Sequence, residues 1–338
     1  MIEINARIVD LARNGGVSDF HLSDGSPLSF RSAGLLQRDQ LIVPQGFVFD
    51  MMSSAISDED QAAFATNGDA DFAIELGGLR FRVNAFKSSK GQCAILRLIP
   101  SSPPSLTDLN LPPVVREICG LRNGLVLVTG ATGSGKSTSL AAMIRYINET
   151  RRHNIITIED PIEFVHTPQL CNVVQRQVGK DTTSFARSLR GALRQDPDVI
   201  LVGELRDLET IALALTAAET GHLVFATLHT SSAPGAITRI LDVFPVEQQA
   251  QIKTQLAQSL RMVLTQMLHR TAGGTARVAS FEVLINNSPV SSLIREGKVH
   301  QLSNVMQTGR SVGMVTMEHS ITELKKAGLI QNDLFIGH

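Results

Sequence analysis

The sequence predicts an α/β chain of two domains: a small amino-terminal α/β domain, then a larger P-loop α/β domain that ends in a helical tail. Three observations carry this expectation. Short, continuous apolar runs separated by helical segments fill the second half, as in a largely parallel sheet covered on both faces. One of those runs leads into a complete phosphate-loop glycine pattern. Between the halves lies a stretch rich in proline, which reads as a joint.

Taken in order, Ile4, Ile8, Leu11 and Ala12 recur at helical spacing, and Asn14-Gly15-Gly16 stops the pattern. "SDFHLSDGSPLSF" then mixes turn residues with alternating apolar ones, as hairpins do. "GGLRFRVNAFKSSKGQCAILRLIP" reads as two strands around a turn at residues 88–91. In the first strand Phe81, Val83 and Ala85 alternate with Arg80, Arg82 and Asn84, so both arginines share one face. In the second, Arg97 interrupts an apolar set. Residues 100–113, "PSSPPSLTDLNLPP", hold five prolines in fourteen positions. The expected boundaries are therefore 1–99, a linker at 100–113, and 114–338. Beyond the linker come the runs "GLVLVT", "IITI", "VILVG" and "HLVFATL". From Val246 onward Ile252, Leu256, Leu260, Val263, Leu264 and Met267 fall at helical spacing, and the pattern reads as mostly helical to the end.

With 338 residues and 43 % hydrophobic content the chain can bury two cores. A formal net charge of −1 gives no global pull toward nucleic acid or anionic membranes. Three cysteines, Cys93, Cys119 and Cys171, stand far apart, which disfavours a disulfide framework and a four-cysteine zinc site. No apolar run approaches the roughly 20 residues of a membrane span, and the amino terminus lacks a signal-peptide core. The expectation is a cytoplasmic protein.

"LVLVTGATGSGKST", residues 125–138, satisfies G-x-x-x-x-G-K-[ST] at Gly130, Gly135, Lys136 and Ser137, with an extra Gly133 inside. Glycines let successive N–H groups converge on one anion. The next helix, with Leu140, Met143, Ile144 and Ile147 on its buried side, points its positive end at the same place. Gly130, Ala131, Thr132, Gly133, Ser134, Gly135, Lys136, Ser137 and Thr138 are the expected phosphate-binding residues. A nucleoside triphosphate is the expected ligand, with the Ser137 hydroxyl able to ligate Mg2+.

Two acidic positions follow. "IITIEDPIEF" places Glu163 past a buried strand, where a carboxylate orients a water or merely caps a solvated turn. In "VILVGELRD" the strand-end position that commonly carries an aspartate is Gly203, leaving Glu204 to serve the metal side or to cap the strand. His222 and His229 bracket another apolar run. Each is either a group that meets the nucleotide or a satisfied structural histidine, and neither belongs to a metal-binding pair. The remaining histidines, His166 among them, read as surface or cap residues.

"GATGSGKST", "TIEDPIEFVH", "VILVGELRDLETIALALTAAETGHLVFATLHT" and "LIREGKVHQLSNVMQTG", in this order, resemble the secretion ATPases of type IV pili and type II secretion. Among these the chain is most similar to the pilus retraction motors that power twitching motility, and the likeness runs over nearly its whole length. The resemblance implies a PAS-like amino-terminal domain and a RecA-like ATPase domain working as a homo-hexamer. It implies ATP as the nucleotide, Glu163 as catalytic base, Glu204 on the metal side, and His222 and His229 in a histidine box. It also implies arginine fingers from the first domain, for which Arg82 and Arg97 are the candidates and Arg80 the reserve. Implied partners are an inner-membrane pilus platform protein and other pilus motor ATPases, with the motor peripheral at that membrane and no direct nucleic acid. Two positions depart from the pattern. Ala131 replaces a common proline, and Pro289-Val290-Ser291 stands where the retraction motors carry Ala-Ile-Arg. An accessory or plasmid-pilus motor, a RecA-like translocase and a non-hydrolysing regulatory subunit are the alternatives.

Overall fold

The computed structural model describes residues 2–14, 17–32, 35–89, 91–99, 102–274 and 276–331. The expected stop at Gly15-Gly16 and the first two linker residues, Pro100 and Ser101, lie outside the described residues. The chain divides into two compact units, residues 1–101 and 102–338.

In the first unit the elements run α1 (Ile2–Asn14), β1 (Val17–Ser23), β2 (Pro27–Ser32), β3 (Leu35–Ile42), α2 (Phe47–Ser53), α3 (Asp58–Asn67), β4 (Asp69–Leu76), β5 (Leu79–Ser88) and β6 (Gly91–Ile99). The strands form one sheet in the order β3-β2-β1-β6-β5-β4, every pair antiparallel. The alternation read from the sequence decides its two faces. Phe81, Val83, Ala85, Ala94 and Leu96 turn inward and join Ile4 and Ile8 of α1 and Phe47, Val48 and Met52 of α2 in one core. The opposite face carries Arg82 directly across from Arg97.

The second unit runs α4 (Val114–Ile118), β7 (Gly124–Thr129), α5 (Lys136–Thr150), β8 (Asn154–Glu159), β9 (Asn172–Gln177), α6 (Phe185–Ala192), β10 (Val199–Val202), α7 (Leu208–Glu219), β11 (Leu223–Leu228), α8 (Ala233–Asp242) and α9 (Val246–Ser259). It continues through β12 (Leu260–Arg270), β13 (Arg277–Ile285), α10 (Ser288–Arg295), α11 (Leu302–Thr308) and α12 (Met317–Lys326). The sheet order is β13-β12-β7-β11-β10-β8-β9, parallel except for β13. Alternate residues of each central strand feed two cores. Leu125, Leu127, Val224 and Ala226 pack with α7, α8 and α9, while Val126, Val128, Leu223 and Phe225 pack with α4 and α5.

One expectation fails. Leu260, Val263, Leu264 and Met267 belong to strand β12, so the chain is not helical from Val246 to its end. Their spacing is helical, but a strand covered on both faces imposes no period on its apolar residues, so pairing decides. β7 would otherwise present an unpaired backbone edge to the core, and β12 hydrogen-bonds along it from Leu260 to Thr265. The helical tail begins at Ser288.

The described part of the proline-rich stretch is folded onto the second unit. Leu106 and Leu111 are buried in its core, and the Arg145 guanidinium donates to the Pro103 carbonyl at 2.7 Å. Ser105 and Asp108 close a local turn with reciprocal side-chain bonds to each other's N–H groups. No helix among the described residues is long and apolar enough to cross a membrane.

Candidate active site

Parallel strands place all their carboxyl ends on one edge of the sheet, and ligands bind at that edge in open α/β folds. The ends of β7, β8, β10 and β11 meet there. Gly130, Gly133 and Gly135 have φ values of 145°, 76° and 89°, which side chains rarely adopt. A Cβ on Gly130 would also collide with the Gln266 carbonyl oxygen and Ser134 Oγ. The glycines therefore serve both the turn and its close seat against β12, where the Gln266 side-chain amide donates to the Ser134 carbonyl.

Lys136 opens α5 and is 8 % exposed. Its Nζ donates to the carbonyls of Gly130 at 2.9 Å and Ala131 at 3.0 Å, and lies 3.4 Å from His229 Nδ1. Burial draws the lysine pKa below its ordinary value, against the opposing charges of Glu204 and Glu163. His229, at the end of β11, presents its Nε2 to Glu204 Oε1 at 3.3 Å. The other Glu204 oxygen is held by Arg206 Nη2 at 2.8 Å. Desolvation pushes the Glu204 pKa up, but the Arg206 hydrogen bond and charge, with His229, hold it below the usual carboxylate range. Lys136, His229 and Glu204 thus form one chain of contacts at the mouth of the loop.

Gly203 has its own reason to be glycine. Its N–H donates to the Ile158 carbonyl of β8 at 2.7 Å, and its carbonyl accepts from the Thr227 hydroxyl of β11. A Cβ there would stand 3.2 Å from the Ile158 oxygen and 3.4 Å from the Phe185 ring. A side chain at this position would be tightly packed, and the neighbouring β8 backbone or Phe185 ring would have to give by a few tenths of an ångström. Asp207, five residues past the strand, caps α7 by accepting from Thr210 N–H at 2.8 Å.

Glu163 is exposed on the irregular segment after β8, between the buried Phe164 and half-buried Ile162. Its charge acts on Lys136 and on Glu159. Glu159 is half-buried, and desolvation raises its pKa although Thr157 Oγ1 and Gln175 Nε2 donate to its Oε1 at 2.6 and 3.1 Å. His166 is buried rather than superficial, and desolvation lowers its pKa to about 4. Ser137 is half-buried in the first turn of α5; Ala131, Thr132 and Gly133 are exposed at the loop crest.

His222 is not brought to this edge. It precedes β11 and His229 follows it, so six strand residues, roughly 20 Å of extended chain, separate them. The His222 ring contacts the Ala217 carbonyl through Nδ1 at 2.9 Å, near the end of α7. Within a single chain it therefore stands at the edge opposite the phosphate loop, because a parallel strand carries its two ends to opposite edges of the sheet. Arg82 and Arg97 lie in the first unit, paired with Asp71 at 3.7 Å and Asp19 at 2.7 Å. Sequence reasoning missed Arg206, Gln175, Gln177 and Gln266. Only the spacing of Gln175 and Gln177, two residues apart in the strand NVVQRQ, signals a shared face in advance.

The chain matches the family described as type II/IV secretion system protein over residues 3–331. It is 48 % identical over 320 residues to the type IV pilus retraction ATPase PilT of Pseudomonas aeruginosa, covering 94 % of this chain and 93 % of the relative. It is 51 % identical over 284 residues to a twitching motility protein of Neisseria gonorrhoeae, covering 84 % and 76 %. A crystal structure of the pilus retraction motor PilT with bound ADP superposes with a TM-score of 0.88 at 44 % identity, covering 97 % of this chain and 94 % of that one.

Proposed function

The chain belongs to the type II/IV secretion system protein family, and on that premise we propose that it is an ATP hydrolase whose turnover drives retraction of a type IV pilus. The observation that carries this reading is the contact chain Lys136–His229–Glu204 at the mouth of a complete phosphate loop, in a protein similar over its length to retraction motors. Lys136 exchanges its loop carbonyls for the outer phosphates, and the loop N–H groups and the start of α5 hold the rest of the phosphate chain.

The residues present fit a magnesium ion. Ser137 and Glu204 are oxygen donors of the kind it takes, and no cluster of three or more His, Cys, Asp or Glu exists among the described residues. That donor set suits an ion held largely by phosphate and water. When bound, magnesium would neutralise charge on the outer phosphates. Glu163 orients the attacking water, and His229 reads the terminal phosphate while bonded to Glu204. Arg82 and Arg97 act on the phosphates as charge-stabilising fingers in a ring of six copies. Force passes to a membrane-embedded platform protein, beside other motors of the same pilus.

A second reading, an accessory motor, rests on one observation. Ser291, at the position where retraction motors carry arginine, is turned back into its own unit. Its hydroxyl donates to the Ala257 carbonyl at 2.8 Å and to Asn286 Oδ1 at 3.0 Å. Deleting the gene and complementing it with wild type or Lys136→Ala separates the readings. Retraction predicts hyperpiliated, non-motile cells that Lys136→Ala does not rescue. Normal pilus number and motility after deletion would assign the chain to accessory work, and rescue by Lys136→Ala would remove the hydrolytic role.

A further inference from the structure

Two glutamines on β9 take no part in the steps above. Residues two apart in a strand point to the same side, so Gln175 and Gln177 both face the segment that follows β8. Gln175 Nε2 donates to the Phe164 carbonyl at 2.9 Å and to Glu159 Oε1 at 3.1 Å, while its Oε1 accepts from His166 N–H at 2.8 Å. Gln177 Oε1 accepts from Ile162 N–H at 3.4 Å. The residues immediately before and after Glu163 are therefore both tethered to β9. Phe164 and His166 are buried beneath the segment, leaving the Glu163 side chain on its exposed side.

We infer that Gln175, assisted by Gln177, is a positioning residue that sets where the Glu163 carboxylate stands relative to the attacking water. The inference rests on Glu163 having the water-orienting role given above. An amide is the group the geometry requires, because Gln175 donates twice and accepts once. A carboxylate of the same shape keeps the bond from His166 N–H but cannot donate to Phe164, and it faces the Glu159 carboxyl. Protonation restores one donor to it. The chemistry thus distinguishes glutamine from glutamate at position 175, which simple space-filling does not. Misplacing a catalytic group by about 1 Å costs on the order of a hundredfold in rate, so even a small shift of the segment is readable.

The test uses the full chain in its assembled form, with steady-state turnover and binding of a fluorescent ATP analogue measured side by side. Gln175→Ala lowers kcat by about tenfold or more and leaves analogue affinity within about twofold. Adding it to Glu163→Ala causes no further loss, since it acts through that residue. In Gln175→Glu, turnover relative to wild type rises as the pH falls from about 8 to about 6, as the introduced acid gains its proton. Wild-type kcat in Gln175→Ala, or losses that multiply in the double variant, overturns the positioning role. Should Gln175→Ala fail to fold, the pH profile of Gln175→Glu decides alone, and a flat ratio to wild type overturns the role. Normal turnover in Glu163→Ala instead overturns the reading on which the inference rests, a separate result.

Discussion

Every residue of β7 and β11 is buried, whereas β4 alternates along its whole length between exposed and half-buried positions. The difference follows from what covers each sheet. Helices pack on both faces of the second unit's parallel sheet, so mid-strand side chains there belong to the core. Polar groups are left to the strand ends: Glu204 and His229 stand just past β10 and β11, and Lys136 follows β7 across the glycine loop. The antiparallel sheet of the first unit has one face against α1 and α2, and its other face carries polar side chains in mid-strand, where Arg82 and Arg97 stand across from one another.

That contrast breaks most readily at the open face. Arg97→Ala removes an exposed side chain whose bond to Asp19 is a surface ion pair of small worth. Its melting temperature should stay near wild type, while turnover of the assembled protein falls by roughly 10³-fold, the scale of an arginine finger. Unchanged turnover would return the arginines to a structural role. At the covered sheet's edge, Glu204→Ala should retain nucleotide binding and lose about a hundredfold in kcat. A wild-type rate in a single-turnover assay would make Glu204 a strand cap.

The smallest effect concerns a polar group trapped under the second unit's surface. The His166 pKa is lowered to about 4 by burial, from an ordinary value of 6.5, so the folded chain keeps it neutral while the unfolded chain takes up a proton. Its contribution to stability is complete above about pH 6.5 and is lost as the pH falls toward about 4, at up to about 1.4 kcal/mol per pH unit. Glu159 titrates in the opposite sense, its raised pKa favouring the folded chain on acidification. The readout is therefore the difference in slope between wild type and His166→Gln in melts from neutral to mildly acid pH. Parallel slopes would show that the histidine is hydrated in solution.

Much of this architecture was legible in short windows of sequence. The phosphate loop, its strand and its helix are specified within residues 124–150, because glycine geometry, strand burial and helix periodicity are all local. The alternation of Phe81, Val83 and Ala85 with Arg80, Arg82 and Asn84 foretold the two faces of β5 for the same reason. Residues 260–270 lay beyond local reading, since their spacing is helical, a strand covered on both faces imposes no period of its own, and only the unpaired edge of β7 selects between them. Gly203 was legible as a glycine, but the crowding around it was not. Its cause is the approach of β8 on one side and Thr227 of β11 on the other, contributed by segments 45 and 24 residues away. The two family histidines look equivalent along the chain, and the parallel sheet sends them to opposite edges. The sequence by itself determined where the glycine loop lies and which strands are covered. Tertiary structure alone decided which strand closes the sheet, which glutamines hold the acidic segment, and which acid faces the lysine, because each depends on a partner that no local pattern names.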